Sequence, residues 1–205
     1  MVRTGMTEDS KKQFVETEKM PLLLELTRKL YLSLNIDDVV KHVLHLAMQL
    51  LDAEGGSVML VDRKSKKLTI SKAINLDDEF ISQPTKIGER VSGWVAEQKI
   101  PVILHGKLED NEQFSALEGR NDVRSSMSVP MKINDTVVGV INLNRMMTGE
   151  MPEFNQSDLR IAVTFARYCA AALQNARLCE TLMVRNKTLN EQSRGQSIWL
   201  AEVCH

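Results

Sequence analysis

The side chains best suited to nucleophilic or metal chemistry are three cysteines, Cys169, Cys179 and Cys204, and four histidines; neither set is spaced for it. No Cys-x-x-Cys pair occurs, and an odd number of scattered cysteines suits a reducing, cytoplasmic compartment. His42 and His45 share one helical segment with no further ligand close by in sequence, so they read as solvated helix residues and no metal site is expected. His105 ends a strand-like stretch, and the acids Glu109, Asp110 and Glu112 read as a solvated charge run. There is no Ser-His-Asp arrangement, no His-Glu-x-x-His and no glycine-rich phosphate loop. The expectation is a chain that is not an enzyme.

The bulk properties narrow the class further. A chain of 205 residues suits one domain with tails, and 43% hydrophobic residues are enough for a core without metal or disulfide staples. Basic and acidic residues number 26 and 27, well mixed, for a net charge of -1. A nucleic-acid binder would need a basic stripe against phosphates, so none is expected as partner. No run approaches the roughly 18–20 apolar residues of a membrane span, and Met1 to Lys19 lacks the apolar core of a signal peptide. The expected location is the cytoplasm, without membrane association.

The elements that would position any site follow from periodicity. Met20 to Leu34 reads as a helix opened by Pro21. A second helix spans about Ile36 to Asp52, with Asn35 as N-cap, Leu34 stapled to Val39, and an apolar face of Ile36, Val39, Val40, Val43, Ala47, Leu50 and Leu51. After Gly55-Gly56, Ser57 to Val61 and Leu68 to Ile74 form a hairpin. A short helix, about Val91 to Gln98, precedes the strand Ile100 to Leu104. Gly106 to Val123 is polar and long, either a lid or a loop carrying a short helix. Ser126 to Ile133 and Thr136 to Leu143 pair through an Asn134-Asp135 turn, and Gly139 marks a close backbone approach or a bulge. Hairpin links between strands, with helices before and after, give an α+β domain with a largely antiparallel sheet. One sheet face would carry the second and last helices, the other the 76–123 segments.

Three sets of runs follow one another in order. The first two are Ile87-Gly88-Glu89-Arg90-Val91-Ser92-Gly93-Trp94-Val95-Ala96 with Pro101-Val102-Ile103-Leu104, and Arg124-Ser125-Ser126-Met127-Ser128-Val129-Pro130-Met131 with Val138-Gly139-Val140-Ile141-Asn142-Leu143. The closing runs are Phe154-Asn155-Gln156-Ser157-Asp158-Leu159 and Ala171-Ala172-Leu173-Gln174-Asn175-Ala176-Arg177-Leu178. Together, over about residues 20–180, the ordered set resembles GAF domains. The resemblance implies a sensory or regulatory module with a GAF-like, PAS-related antiparallel sheet of about six strands, a dimerising helical bundle on one face and a lidded small-molecule pocket on the other. The division would be a polar tail or helix extension over 1–19, the GAF domain over 20–178, and a coiled-coil-like exit helix and tail over 179–205. No output domain is recognised in the chain, so output would belong to a longer protein or a separate partner.

The identity of any ligand or cofactor stays open. Asn144-Arg145 followed by Phe154, three residues and Asp158 partly resembles the signature of cyclic-nucleotide phosphodiesterase GAF domains, although Leu159 stands where a glutamate is usual. Without a ligand, an Arg145–Asp158 ion pair could tie strand end to helix start, with Asn155 capping the last helix. Bilin attachment and sulfoxide reduction, known in relatives, need cysteines in the pocket loops, and none precedes Cys169. Haem would need a histidine, and His105 is the candidate nearest the pocket. A dimerisation scaffold with a vestigial pocket is the alternative.

Two groups of residues carry the functional expectation. Trp94, Phe114, Arg124, Ser126 and Ser128 flank the long irregular segment and are the candidates for a pocket wall with a few convergent polar groups. The last helix, starting near Gln156, has one stripe of small residues, Ala162, Ala166, Cys169, Leu173 and Ala176, to pack on its own domain. A second stripe, Ile161, Phe165, Tyr168, Ala172, Asn175, Cys179, Leu182, Asn186 and Leu189, alternates by four and three and predicts a homodimer seam.

Overall fold

A computed structural model describes residues 35–62, 64–76, 83–117 and 120–203, with side chains to residue 187. The expected helix over Met20 to Leu34, the tail before it and the Leu34–Val39 staple lie outside the described residues. Helix α1 (Ile36–Leu51) begins as its sequence dictates, with the Asn35 side chain accepting from the Asp37 N–H at 2.7 Å. It ends at Asp52, which takes the left-handed conformation and donates its N–H to Met48 O. The expected apolar face is buried, joined by Leu44 and Leu46, and Ile36 packs at its edge.

Strands β1 (Gly55–Val61), β2 (Lys67–Ile74), β3 (Thr85–Lys86), β4 (Val102–His105), β5 (Val123–Ile133) and β6 (Thr136–Met146) form one sheet in the order β3-β2-β1-β6-β5-β4. Every pairing is antiparallel. Helix α2 (Arg90–Gln98) crosses one face of it. The β5–β6 hairpin turns at Asn134, whose φ of 52° is the positive value that residue type tolerates. At Gly139 a Cβ would collide with the Met59 carbonyl and the Met131 side chain, so this glycine serves close approach between strands.

The period-two alternation of the strands divides the core. Val58, Met127, Val129, Met131, Ile141 and Leu143 point toward the helices, while Met59, Leu68 and Val140 meet Val95 and Ala96 of α2 on the other face. Helix α3 (Gln156–Val203) starts at the expected residue with a reciprocal cap. Asn155 Oδ1 accepts from the N–H groups of Ser157 and Asp158 at 2.8 and 3.2 Å, and Asp158 accepts from the Asn155 N–H at 3.2 Å. Helices α1 and α3 run antiparallel, since the Ile36 N–H donates to Glu180 at one end and Arg145 ties Leu51 to residues 152–153 at the other.

The seam expected on α3 requires a correction. Ile161, Phe165 and Ala172 are buried inside this one chain, and Tyr168 packs partly buried beside them. The sheet and α1 together cover this half of α3, so both apolar stripes are consumed internally up to Ala172. Past that point the surface opens: Asn175 is exposed, Cys179 is half-buried and Leu182 is 58% exposed, with Leu178, Met183 and Val184 also exposed. No helix among the described residues is long and apolar enough to cross a membrane.

Candidate functional site

On the sheet face away from the α1–α3 bundle, alternation brings small polar residues into two cross-strand rows. Ser57, Asn142 and Ser128 are register partners on β1, β6 and β5. One step along the strands, Asn144 on β6 faces Ser126 on β5, and Ser126 faces Leu104 on β4. The first row is bonded internally. Asn142 Oδ1 accepts from Ser128 at 2.7 Å and from Ser92 on α2 at 3.0 Å, while its Nδ2 donates to Ser57 at 3.1 Å. One carboxamide therefore joins three strands to the helix above them.

Over these rows lies a cavity of about 180 Å³. Its floor is Ser126, Ser128, Asn142 and Asn144, its wall is Val91 and Ser92 of α2 with Leu104, and its rim is Gly106, Leu108, Arg120 and Val123. Arg120 is fixed at the rim: Nε and Nη2 donate to the two Asp122 oxygens at 2.9 and 2.6 Å, and Nη1 donates to Asn75 O at 2.7 Å. The bidentate bond from that guanidinium holds the Asp122 carboxyl below its ordinary range. A second hollow of about 230 Å³ opens where the β5–β6 hairpin tip meets Gln174 and Arg177 of α3.

Of the five expected wall residues, the structure brings Ser126 and Ser128 to the cavity. Trp94 and Phe114 instead pack edge-to-face on each other, centroids 5.6 Å apart at 88°, which pins the lid to α2. Arg124 is turned away to the 147–151 loop, donating to Met147 O and Met151 O at 2.9 Å and to Gly149 O at 3.1 Å. An arginine beside three converging carbonyls is consumed by them. The lid carries a 3₁₀ turn, Leu108–Asp110, and Glu109, Asp110 and Glu112 are exposed. Residues missed by sequence reasoning are Ser92, Arg120 and Asn142, while Asn144, expected only as part of the cyclic-nucleotide-like pattern, also lines the cavity. The asparagines were legible in principle, since they alternate with apolar Ile141 and Leu143 and so share a face with Ser126 and Ser128.

The other candidates sit apart from the cavity. His105 Nδ1 lies 3.2 Å from Glu153, linking the end of β4 to the segment before α3. Cys169 is enclosed in the bundle core, where burial pushes its thiol up, and Cys179 is on the exit helix; Cys204 is outside the described residues. The Arg145–Asp158 pair forms at 3.3 Å with side chains only 3% and 10% exposed. Arg145 also donates to Leu51 O at 2.7 Å, Pro152 O at 2.8 Å and Glu153 O at 3.2 Å, and lies 4.2 Å over the Phe154 ring. It is a buried junction of α1, β6 and α3.

A six-stranded antiparallel sheet with a helical bundle on one face and a lidded cavity on the other is the architecture of a small sensory domain. The GAF domain family model matches residues 33–174, and the chain belongs to that family, whose members are in general sensory or regulatory. Among curated relatives, the dual 3',5'-cyclic-AMP and -GMP phosphodiesterase 11 of Drosophila melanogaster is 24% identical over 205 residues, covering 90% of this chain. The chain spans only 14% of that relative's length. The GAF domain of a phosphoenolpyruvate-protein phosphotransferase from Coxiella burnetii superposes with a TM-score of 0.66 at 19% identity, covering 81% of this chain and 98% of its own. The free methionine-R-sulfoxide reductase from Neisseria meningitidis, solved in complex with its substrate, gives a TM-score of 0.64 at 12% identity, covering 87% of this chain and 98% of its own. Both structural likenesses establish the fold.

Proposed function

We propose that this chain is a non-enzymatic GAF sensor that binds a small molecule in the cavity between α2, the lid and the β5–β6 floor. The observation that carries this reading is the polar floor itself. A sheet face serving only as core would be lined by apolar side chains, as the opposite face is; here Ser126, Ser128, Asn142 and Asn144 converge under a cavity. Occupancy would alter the lid and α2, and the sheet would pass that change to α3. The exit half of α3 exposes Leu178, Leu182 and Met183, which suits pairing with a second copy in a homodimer. The scattered, odd-numbered cysteines suit a reducing, cytoplasmic setting.

Cyclic-nucleotide binding is a second reading, favoured by the phosphodiesterase relative and the Asn144-Arg145…Phe154…Asp158 pattern. The junction role of Arg145 and Asp158 accounts for those two residues without a ligand. Calorimetric titration with cyclic AMP and cyclic GMP decides it: saturable heat restored to a purified, ligand-stripped chain supports the nucleotide, and none removes it. A scaffold with a vestigial pocket corresponds to dimerisation that no small molecule changes.

A further inference from the structure

The two polar rows of the cavity floor differ in one respect. In the first, Ser57, Ser128 and Ser92 all bond to Asn142. In the second, Ser126 and Asn144 face each other across the β5–β6 ladder and line the cavity, yet among the described residues neither side chain has a hydrogen-bond partner. Directly opposed residues hold their Cβ atoms about 4.5–5.5 Å apart. A carboxamide and a hydroxyl are thus set side by side on one hollow, bonded to no described residue, above a layer whose own bonding capacity is used.

Resting on the sensor reading above, we propose that the cavity takes a small, neutral molecule with a planar amide or lactam edge, held by Asn144 and Ser126. The Asn144 carboxamide presents a donor and an acceptor in one plane, and the complementary partner is another edge with adjacent acceptor and donor. The Ser126 hydroxyl supplies either role. Charge points the same way. Arg120 is the cationic residue in the lining, and its Nε, Nη1 and Nη2 already donate to Asp122 and Asn75. A carboxylate or phosphate entering here would lose hydration without a dedicated counter-charge. Size agrees: about 180 Å³ falls below the roughly 300–1,000 Å³ of pockets for drug-sized ligands.

The test uses a matched pair of probes, nicotinamide and nicotinate, titrated calorimetrically into the full chain and checked by melting temperature. Nicotinamide is expected to bind and raise the melting temperature, and nicotinate to do neither. Asn144→Leu is expected to weaken nicotinamide binding about tenfold to a hundredfold, as loss of a bidentate pair does. Ser126→Ala, which cannot disturb packing, is expected to weaken it less. Equal binding of nicotinate, or nicotinamide binding unchanged in both variants, overturns the proposal. Silence toward nicotinamide, benzamide and 2-pyrrolidone, with a stabilising charged metabolite found instead, overturns the amide class and leaves the sensor reading standing. Silence toward every small molecule overturns both.

Discussion

Ser92 on α2 donates its hydroxyl to the Asn142 carboxamide on β6 at 3.0 Å, so the wall and the floor of the cavity are joined by one polar contact between partly buried groups. Asn142→Leu would leave the Ser57, Ser92 and Ser128 hydroxyls without that partner. Each orphaned buried hydroxyl costs about 1–3 kcal/mol, so a loss of at least that size is expected in urea unfolding. Asn142→Asp keeps an acceptor for Ser92 and Ser128 and, while protonated, an O–H donor for Ser57; its stability should fall as pH rises, because ionisation removes that donor and leaves a charge in a partly buried site.

Arg145 is expected to matter more to folding than to binding. Breaking a buried pair from one side costs about 3–5 kcal/mol, because the remaining charge and the carbonyls of Leu51, Pro152 and Glu153 lose their partner together. Arg145→Leu should therefore lower the urea midpoint strongly. Arg145→Lys should rescue only part, since one ammonium cannot span carbonyls on α1 and on the loop before α3.

The rim of the cavity carries an acid-sensitive tie. Asp122 is held below its ordinary value of 3.8 by the Arg120 bond. A carboxyl depressed in the folded state stabilises it above the unfolded value and loses that contribution as pH falls through the folded one. Lid anchoring should be constant from neutral pH down to about 5 and weaken below about 4. Hydrogen exchange of the Val123 and Arg124 amides across that range checks it, and Asp122→Asn should abolish the pH dependence.

The exit helix gives the oligomer prediction. Leu182 is exposed and beyond the part of α3 that its own domain covers. Light scattering at micromolar concentration should report a dimer, and Leu182→Glu should dissociate it while leaving the domain folded by circular dichroism. A wild-type monomer, or a dimer indifferent to the substitution, contradicts the pairing.

How far the chain could be read in advance varied with the physics. Helix α1, the β5–β6 hairpin and the start of α3 were legible because cap, period and turn residues all agree at Asn35, Asn134 and Asn155. The two-residue β3 was not, since a strand that short has no period. In the site, all five expected residues flank the long irregular segment; the two-residue spacing of Ser126 and Ser128 puts both on the cavity face of β5, but Trp94, Phe114 and Arg124 do not reach the cavity. Their positions depend on which neighbour claims the side chain first: another aromatic, or three loop carbonyls. The α3 seam was overextended for a similar reason. Periodicity shows that Ile161 and Phe165 must be covered, but not whether this chain's sheet and α1 or a second copy covers them.

The cavity over Ser126, Ser128, Asn142 and Asn144 is proposed as the small-molecule site of this domain. A metabolite-library melting screen of the chain beside its Ser126→Trp variant, whose indole would fill the hollow, tests this most directly. A ligand at about 100 times its Kd adds about 2.7 kcal/mol, or about 5–10 °C for a domain of this size. At least one compound is predicted to shift the wild-type chain by that amount and leave the variant unmoved; no shift in either, or the same shift in both, would contradict the account.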